Sequence, residues 1–108
     1  MTAARSPGAS MFRARIYQSQ RDVLLAASDE ELVGRTLSFG KIQVDITPAF
    51  YGSDSVTERE LVEMLQQCTV ANLMGPRTVT LARRLGLVRD GNVLDIDGVP
   101  HAQLARMR

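Results

Sequence analysis

Few side chains in this sequence could do acid–base or nucleophilic chemistry: there is one histidine, His101, and one cysteine, Cys68. An imidazole titrates near neutrality and suits a general acid or base, while a thiolate is a nucleophile. A working base also needs an orienting partner and a nucleophile within reach. Cys68 repeats at helical spacing with Leu61, Met64 and Leu65, which places it on an apolar face where thiols are inert. The expectation is that His101 hydrogen-bonds a neighbouring carbonyl and fixes local structure, with catalysis as the alternative. One cysteine and one histidine exclude a four-ligand Cys/His zinc site, and no metal or cofactor is expected.

Asp29, Glu30 and Glu31 could offer oxygen ligands to a divalent cation, but three acidic residues opening a helix complement its dipole. Asp95 and Asp97 suit a solvated strand face and a turn. Asn72, three residues before Gly75, either presents a polar side chain beside a close backbone approach or ties down a junction. The glycines are scattered singly, so no phosphate-cradling loop is present.

Two surface features remain. Arg13, Arg15 and Tyr17 share one parity of an alternating segment, and such a stripe pairs with phosphates and stacks on an unpaired base. The competing reading is a solvated face whose arginine stems cover the sheet. Arg106 and Arg108 would extend the stripe if the terminal strands were neighbours, and Arg77, Arg83, Arg84 and Arg89 form a second basic cluster. The Phe50-Tyr51-Gly52 loop is either a recognition tip or a plug for one end of the core, the latter being expected.

The elements that must position these residues follow from patterning. Phe12, Ala14 and Ile16 alternate with Arg13, Arg15 and Tyr17, a half-buried strand, and Val23–Ala27 returns as its hairpin partner. Ser28 and Glu31 have capping-box spacing, predicting a short helix from Asp29 that Gly34 ends. Lys41–Thr47 alternates as a strand with Ile42, Val44 and Ile46 inward, and Ala49–Ser55 reads as a loop. Thr57 with Glu60 forms a second capping box, stapled by Val56 and Leu61, so a helix runs from Glu58 to about Cys68. Thr69–Met74 reads as a further helical turn or a continuation. Pro76 suits the first position of another helix, which Gly86-Leu87 closes in a Schellman ending. A final hairpin pairs Asn92–Ile96 with Val99–Met107 across Asp97-Gly98, with Pro100 demanding an edge or a bulge. The order ββα-β-αα-ββ predicts an α+β two-layer sandwich, a mostly antiparallel sheet with helices on one face.

The 108 residues suffice for one domain, read as a flexible tail over 1–10 and a single α+β domain over 11–108. Apolar residues make up 44% and charged residues 23%, a globular balance, and no apolar run is long enough to span a membrane. Residues 1–10 lack the apolar stretch of a secretory signal, and a single cysteine fits a reducing compartment, so a cytoplasmic location is expected. The formal net charge of +1 disfavours broad electrostatic binding of duplex DNA. Lys41 is the only lysine, a skew that a GC-rich genome would produce.

Four segments, Asp29–Thr36, Phe50–Gly52, Thr69–Gly75 and Gly98–Gln103, resemble in order and spacing a small archaeal family known as domain of unknown function 424. The resemblance implies a small α+β fold and an archaeal origin, with no assigned reaction and a setting in translation or ribosome biogenesis. The residues that carry it are Asp29, Glu31, Gly34, Tyr51, Gly52, Asn72, Gly75, Gly98, Pro100, His101 and Gln103. Two departures are the ten-residue N-terminal extension and Pro76, where an acidic residue is the family's pattern.

Taken together, these features lead to an expected non-enzymatic accessory protein that binds structured ribosomal RNA or ribosomal proteins through arginine patches. The first alternative is an enzyme or small-ligand protein using His101, Asn72 and the carboxylates of the short helix, Glu31 among them, in one cleft. The second is a protein-interaction module offering a sheet edge.

Overall fold

The structure is a computed structural model and describes residues 11–106. The tail expected over residues 1–10 lies outside them, as does Arg108. Strand β1 (Phe12–Gln18) turns at Ser19–Asp22 into β2 (Val23–Asp29), as the alternation predicts. A 3-10 turn (Glu30–Leu32) follows, then a small hairpin of β3 (Thr36–Phe39) and β4 (Ile42–Asp45). Helix α1 (Pro48–Tyr51) and the two-residue β5 (Ser55–Val56) lead to α2 (Glu58–Gln67), β6 (Val70–Met74) and α3 (Pro76–Arg84). A second 3-10 turn (Asp90–Asn92) precedes β7 (Val93–Ile96) and β8 (Val99–Ala105).

The main sheet has the order β5-β1-β2-β6-β8-β7, antiparallel except where β2 and β6 run parallel. A parallel neighbour requires a long crossover, and everything from the first 3-10 turn to α2 supplies it. Helices α2 and α3 both cover one face, where Leu61, Leu65, Val79 and Ala82 meet Leu25, Leu73, Ala102 and Leu104. The opposite face is covered over only part of its area. There the β3–β4 hairpin and α1 lay Leu37, Ile46 and Tyr51 against Ala26, Met74, Ile96 and Val99.

Several local signals form as expected. Thr57 and Glu60 exchange both capping-box hydrogen bonds, and the Leu87 and Gly86 amides close α3 on the Ala82 and Arg83 carbonyls. Other expectations fail for physical reasons. Thr69–Met74 holds a central strand, Val70–Met74, and no helical turn; five residues, with Ala71, Leu73 and Met74 buried, are too short a run for periodicity to separate strand from helix. Ser28 and Glu31 form no capping box: Ser28 stays within β2, its hydroxyl donates to the Asp29 carbonyl, and no side chain caps the 3-10 turn. Residues 49–51, expected in a loop, close α1, for which Thr47 is the N-cap and Pro48 the first residue. Ile42, expected inward, stands 63% exposed near the hairpin tip, whereas Ile46 is buried.

Candidate functional site

The fully buried Asp29 carboxylate accepts from the Thr78 amide at 2.8 Å, the Thr78 hydroxyl at 2.7 Å and the Arg77 amide at 3.0 Å. An acid on β2 thus caps α3, forty-eight residues away in sequence for Arg77, and satisfies donors that the helix start leaves open. Gly75 makes this approach possible. Its φ is +112°, and a Cβ there would lie 2.5 Å from the Asp29 Cγ and Oδ1 atoms. Arg77 completes the cluster by pairing with Glu31, donating to the Met11 carbonyl and lying over the Phe12 ring at 4.8 Å. The Arg77 hydrogen bond holds the Glu31 carboxyl below its ordinary range. Asp29, Glu31 and Gly75 therefore share one structural assembly; the dipole that the acid complements is that of α3 rather than of the turn at Glu30.

The arginine stripe is largely committed to the fold. Arg13 donates to Glu30 at 3.0 Å and to the Gly52 carbonyl at 3.1 Å, and Arg15 donates to the Ala49 carbonyl at 2.7 Å. The Tyr17 hydroxyl donates to the Phe50 carbonyl at 2.7 Å, and the two rings stack with centroids 5.7 Å apart. The stripe thus clamps α1 to the sheet. Close approach at this corner also needs Gly52, where a Cβ would sit 2.7 Å from the Ala14 carbonyl oxygen. Arg106 cannot extend the stripe, because β2 and β6 separate β1 from β8; it donates instead to the Leu65 and Gln66 carbonyls at the end of α2. In the second basic cluster Arg83 pairs with Asp90 at 2.8 Å, and Arg84 approaches Glu58 at 4.0 Å. Gly34 and Gly98 hold positive φ in turns, and the Gly98 amide donates to Asp95.

The remaining sheet face carries the other residues singled out in the sequence. The register sets Asn72 beside Gln103, and Met74 beside His101 and then Leu94, on the side away from α2 and α3. Tyr17, Leu24, Val70 and Ala105 form the next row. Three cavities lie along this face. One of about 290 Å³ is lined by Leu24, Phe50, Val70, Asn72 and Gln103, among others. The second adjoins it at Leu24 and Val70, and the third joins it through Gln103 to His101, Leu94 and Asn92. Phe50, half-buried, is the wall that sequence reasoning assigned to core closure; Tyr51, 4% exposed, does close the core.

Hydrogen bonds orient the polar groups on this face. The Tyr51 hydroxyl donates to Asn72 Oδ1 at 2.8 Å. Burial pushes the Tyr51 phenol up to about 12, so it stays a donor. His101 Nδ1 lies 2.9 Å from the Leu73 carbonyl, which can only accept, so Nδ1 carries the proton and Nε2 the lone pair. Burial also holds the His101 pKa below its ordinary value, against the opposing effect of that carbonyl. Cys68 is buried on the helix side and donates to the Leu65 carbonyl, so the sheet separates it from His101. Glu31 is engaged by Arg77 and lines none of the three cavities. Among the described residues no cluster of three or more metal-ligating side chains is found.

Residues 17–107 match the family described as protein of unknown function, DUF424. The chain belongs to this family. No curated protein matches the sequence. The chain is also similar to a solved structure, the crystal structure of an uncharacterized conserved protein from Methanopyrus kandleri. The TM-score is 0.74 at 23% identity, covering 91% of this chain and 95% of that one. This DUF424 chain therefore has the fold of that protein, a mixed α+β domain built on a six-stranded sheet. Among the described residues no helix is long and apolar enough to cross a membrane.

Proposed function

We propose that this DUF424 protein is a non-enzymatic, cytoplasmic RNA-binding accessory protein, and that unpaired RNA bases lie on the open half of its sheet. The observation that carries this reading is the juxtaposition of Asn72 and Gln103 on an uncovered sheet face beside the Phe50 ring. Sheet faces that combine an aromatic ring with side-chain amides suit unpaired bases, which stack on the ring and leave their edges to the amides. Arg21, exposed in the turn between β1 and β2, would meet backbone phosphates. Affinity should then depend only modestly on salt, consistent with a net charge of +1. Arginine patches alone are a poorer basis, because Arg13, Arg83 and Arg106 have partners within the chain.

The experiment is fluorescence anisotropy with a labelled single-stranded RNA and a duplex of the same length, using the full chain and its Gln103→Ala variant. Gln103 is exposed, so its truncation leaves the core intact. Tighter binding of the single strand that weakens in the variant supports the reading. Equal binding of both forms, or no effect of the variant, contradicts it.

A further inference from the structure

The donors and acceptors that the open sheet half presents have a fixed order, set by the groups that hold Asn72 and His101. Asn72 Oδ1 is held by the Tyr51 hydroxyl, which leaves the Asn72 amide nitrogen as the outward donor. His101 Nδ1 is held by the Leu73 carbonyl, which leaves Nε2 as an outward acceptor. Gln103 lies between them: it is Asn72's cross-strand neighbour and stands two residues from His101 on the same face. Its exposed amide is free to turn either its oxygen or its nitrogen toward a ligand.

We infer that this surface selects bases whose pairing edge carries both a carbonyl oxygen and an amino group, namely guanine and cytosine, over adenine and uracil. The inference rests on the RNA reading above. The carbonyl accepts from Asn72 and the amino group donates to His101 Nε2. Gln103 then offers its oxygen to guanine N1–H or its nitrogen to cytosine N3. Uracil would set a carbonyl against the imidazole lone pair, and adenine has no carbonyl for Asn72. Each unmade hydrogen bond should weaken binding about three- to tenfold.

The test uses a fluorescein-labelled heptauridine whose central base is uracil, cytosine, adenine, guanine or hypoxanthine, titrated with the full chain at pH 7.5. Guanine and cytosine should bind about three- to tenfold more tightly than uracil. Hypoxanthine, which is guanine without its amino group, should lose that gain. His101→Ala should abolish the difference between guanine and hypoxanthine, whereas Gln103→Ala should weaken every member of the series about three- to tenfold and leave that difference in place. Equal affinity for all five oligonucleotides overturns the base preference while RNA binding stands. No binding to any of them overturns both. Competition by free GMP at the oligonucleotide's own potency keeps the base preference and overturns the RNA function.

Discussion

Replacing Asp29 with alanine should destabilise the protein severely, though the side chain touches no candidate binding surface. The carboxylate is fully buried and accepts three hydrogen bonds, from the Arg77 amide, the Thr78 amide and the Thr78 hydroxyl. Losing a helix cap costs about 1–2 kcal/mol. The stranded Thr78 hydroxyl, in a fully buried residue, adds roughly 1–3 kcal/mol as an unsatisfied donor. A total of about 2–5 kcal/mol is a large part of the roughly 5–15 kcal/mol that holds a small domain folded. At roughly 4–8 °C per kcal/mol for a domain of this size, Tm should fall by about 8–40 °C. Thermal and urea melts followed by circular dichroism measure it, with Thr78→Ala and the double variant closing a cycle. The two single effects should be strongly non-additive, since both remove the same contact. A fall in Tm below about 4 °C would show that the cap contributes little and would refute this reasoning.

Three more outcomes follow from the same geometry. Gly75→Ala should destabilise by at least about 2 kcal/mol in a urea melt, since its Cβ would overlap Asp29 at a φ of +112°; an unchanged midpoint would contradict the close approach. Tyr51→Phe should cost about 1 kcal/mol and loosen base discrimination by releasing the Asn72 oxygen, as read by melting and by the anisotropy series. His101 has its folded pKa below the unfolded value of 6.5, so the unfolded chain binds the extra proton first and stability falls as pH drops below about 6.5. His101→Gln should lose less stability than the parent chain between pH 7.5 and pH 5, measured by urea midpoint; parallel pH profiles would contradict it.

Much of the fold is legible in the sequence where a signal is local. The Thr57–Glu60 box, the Gly86-Leu87 ending, the Asp97-Gly98 turn and the β1 alternation each depend on residues within a few positions of one another. What is not legible depends on partners far along the chain. Asp29 looks like the acid of its own turn, because nothing in the sequence ties it to the amides of Arg77 and Thr78. Arg13 and Arg15 look like a nucleic-acid stripe until the carbonyls of Gly52 and Ala49 are brought to them. Val70–Met74 is too short for its pattern to separate strand from helix, and β3 escapes notice because it is only four residues long. For the candidate site, Asn72, His101 and Gln103 stand out as residues, but their common face follows from the β6–β8 register. Phe50 joins them because α1 lies across the same face.

The most direct measurement is an NMR titration of the isotopically labelled full chain with a short single-stranded RNA, following backbone and side-chain amides. The account predicts that shifts concentrate on Leu24, Val70, Asn72, His101 and Gln103, with the side-chain amides of Asn72 and Gln103 among the largest. Shifts confined to α3 around Arg83 and Arg84, or none at an RNA concentration that saturates the anisotropy signal, would contradict it.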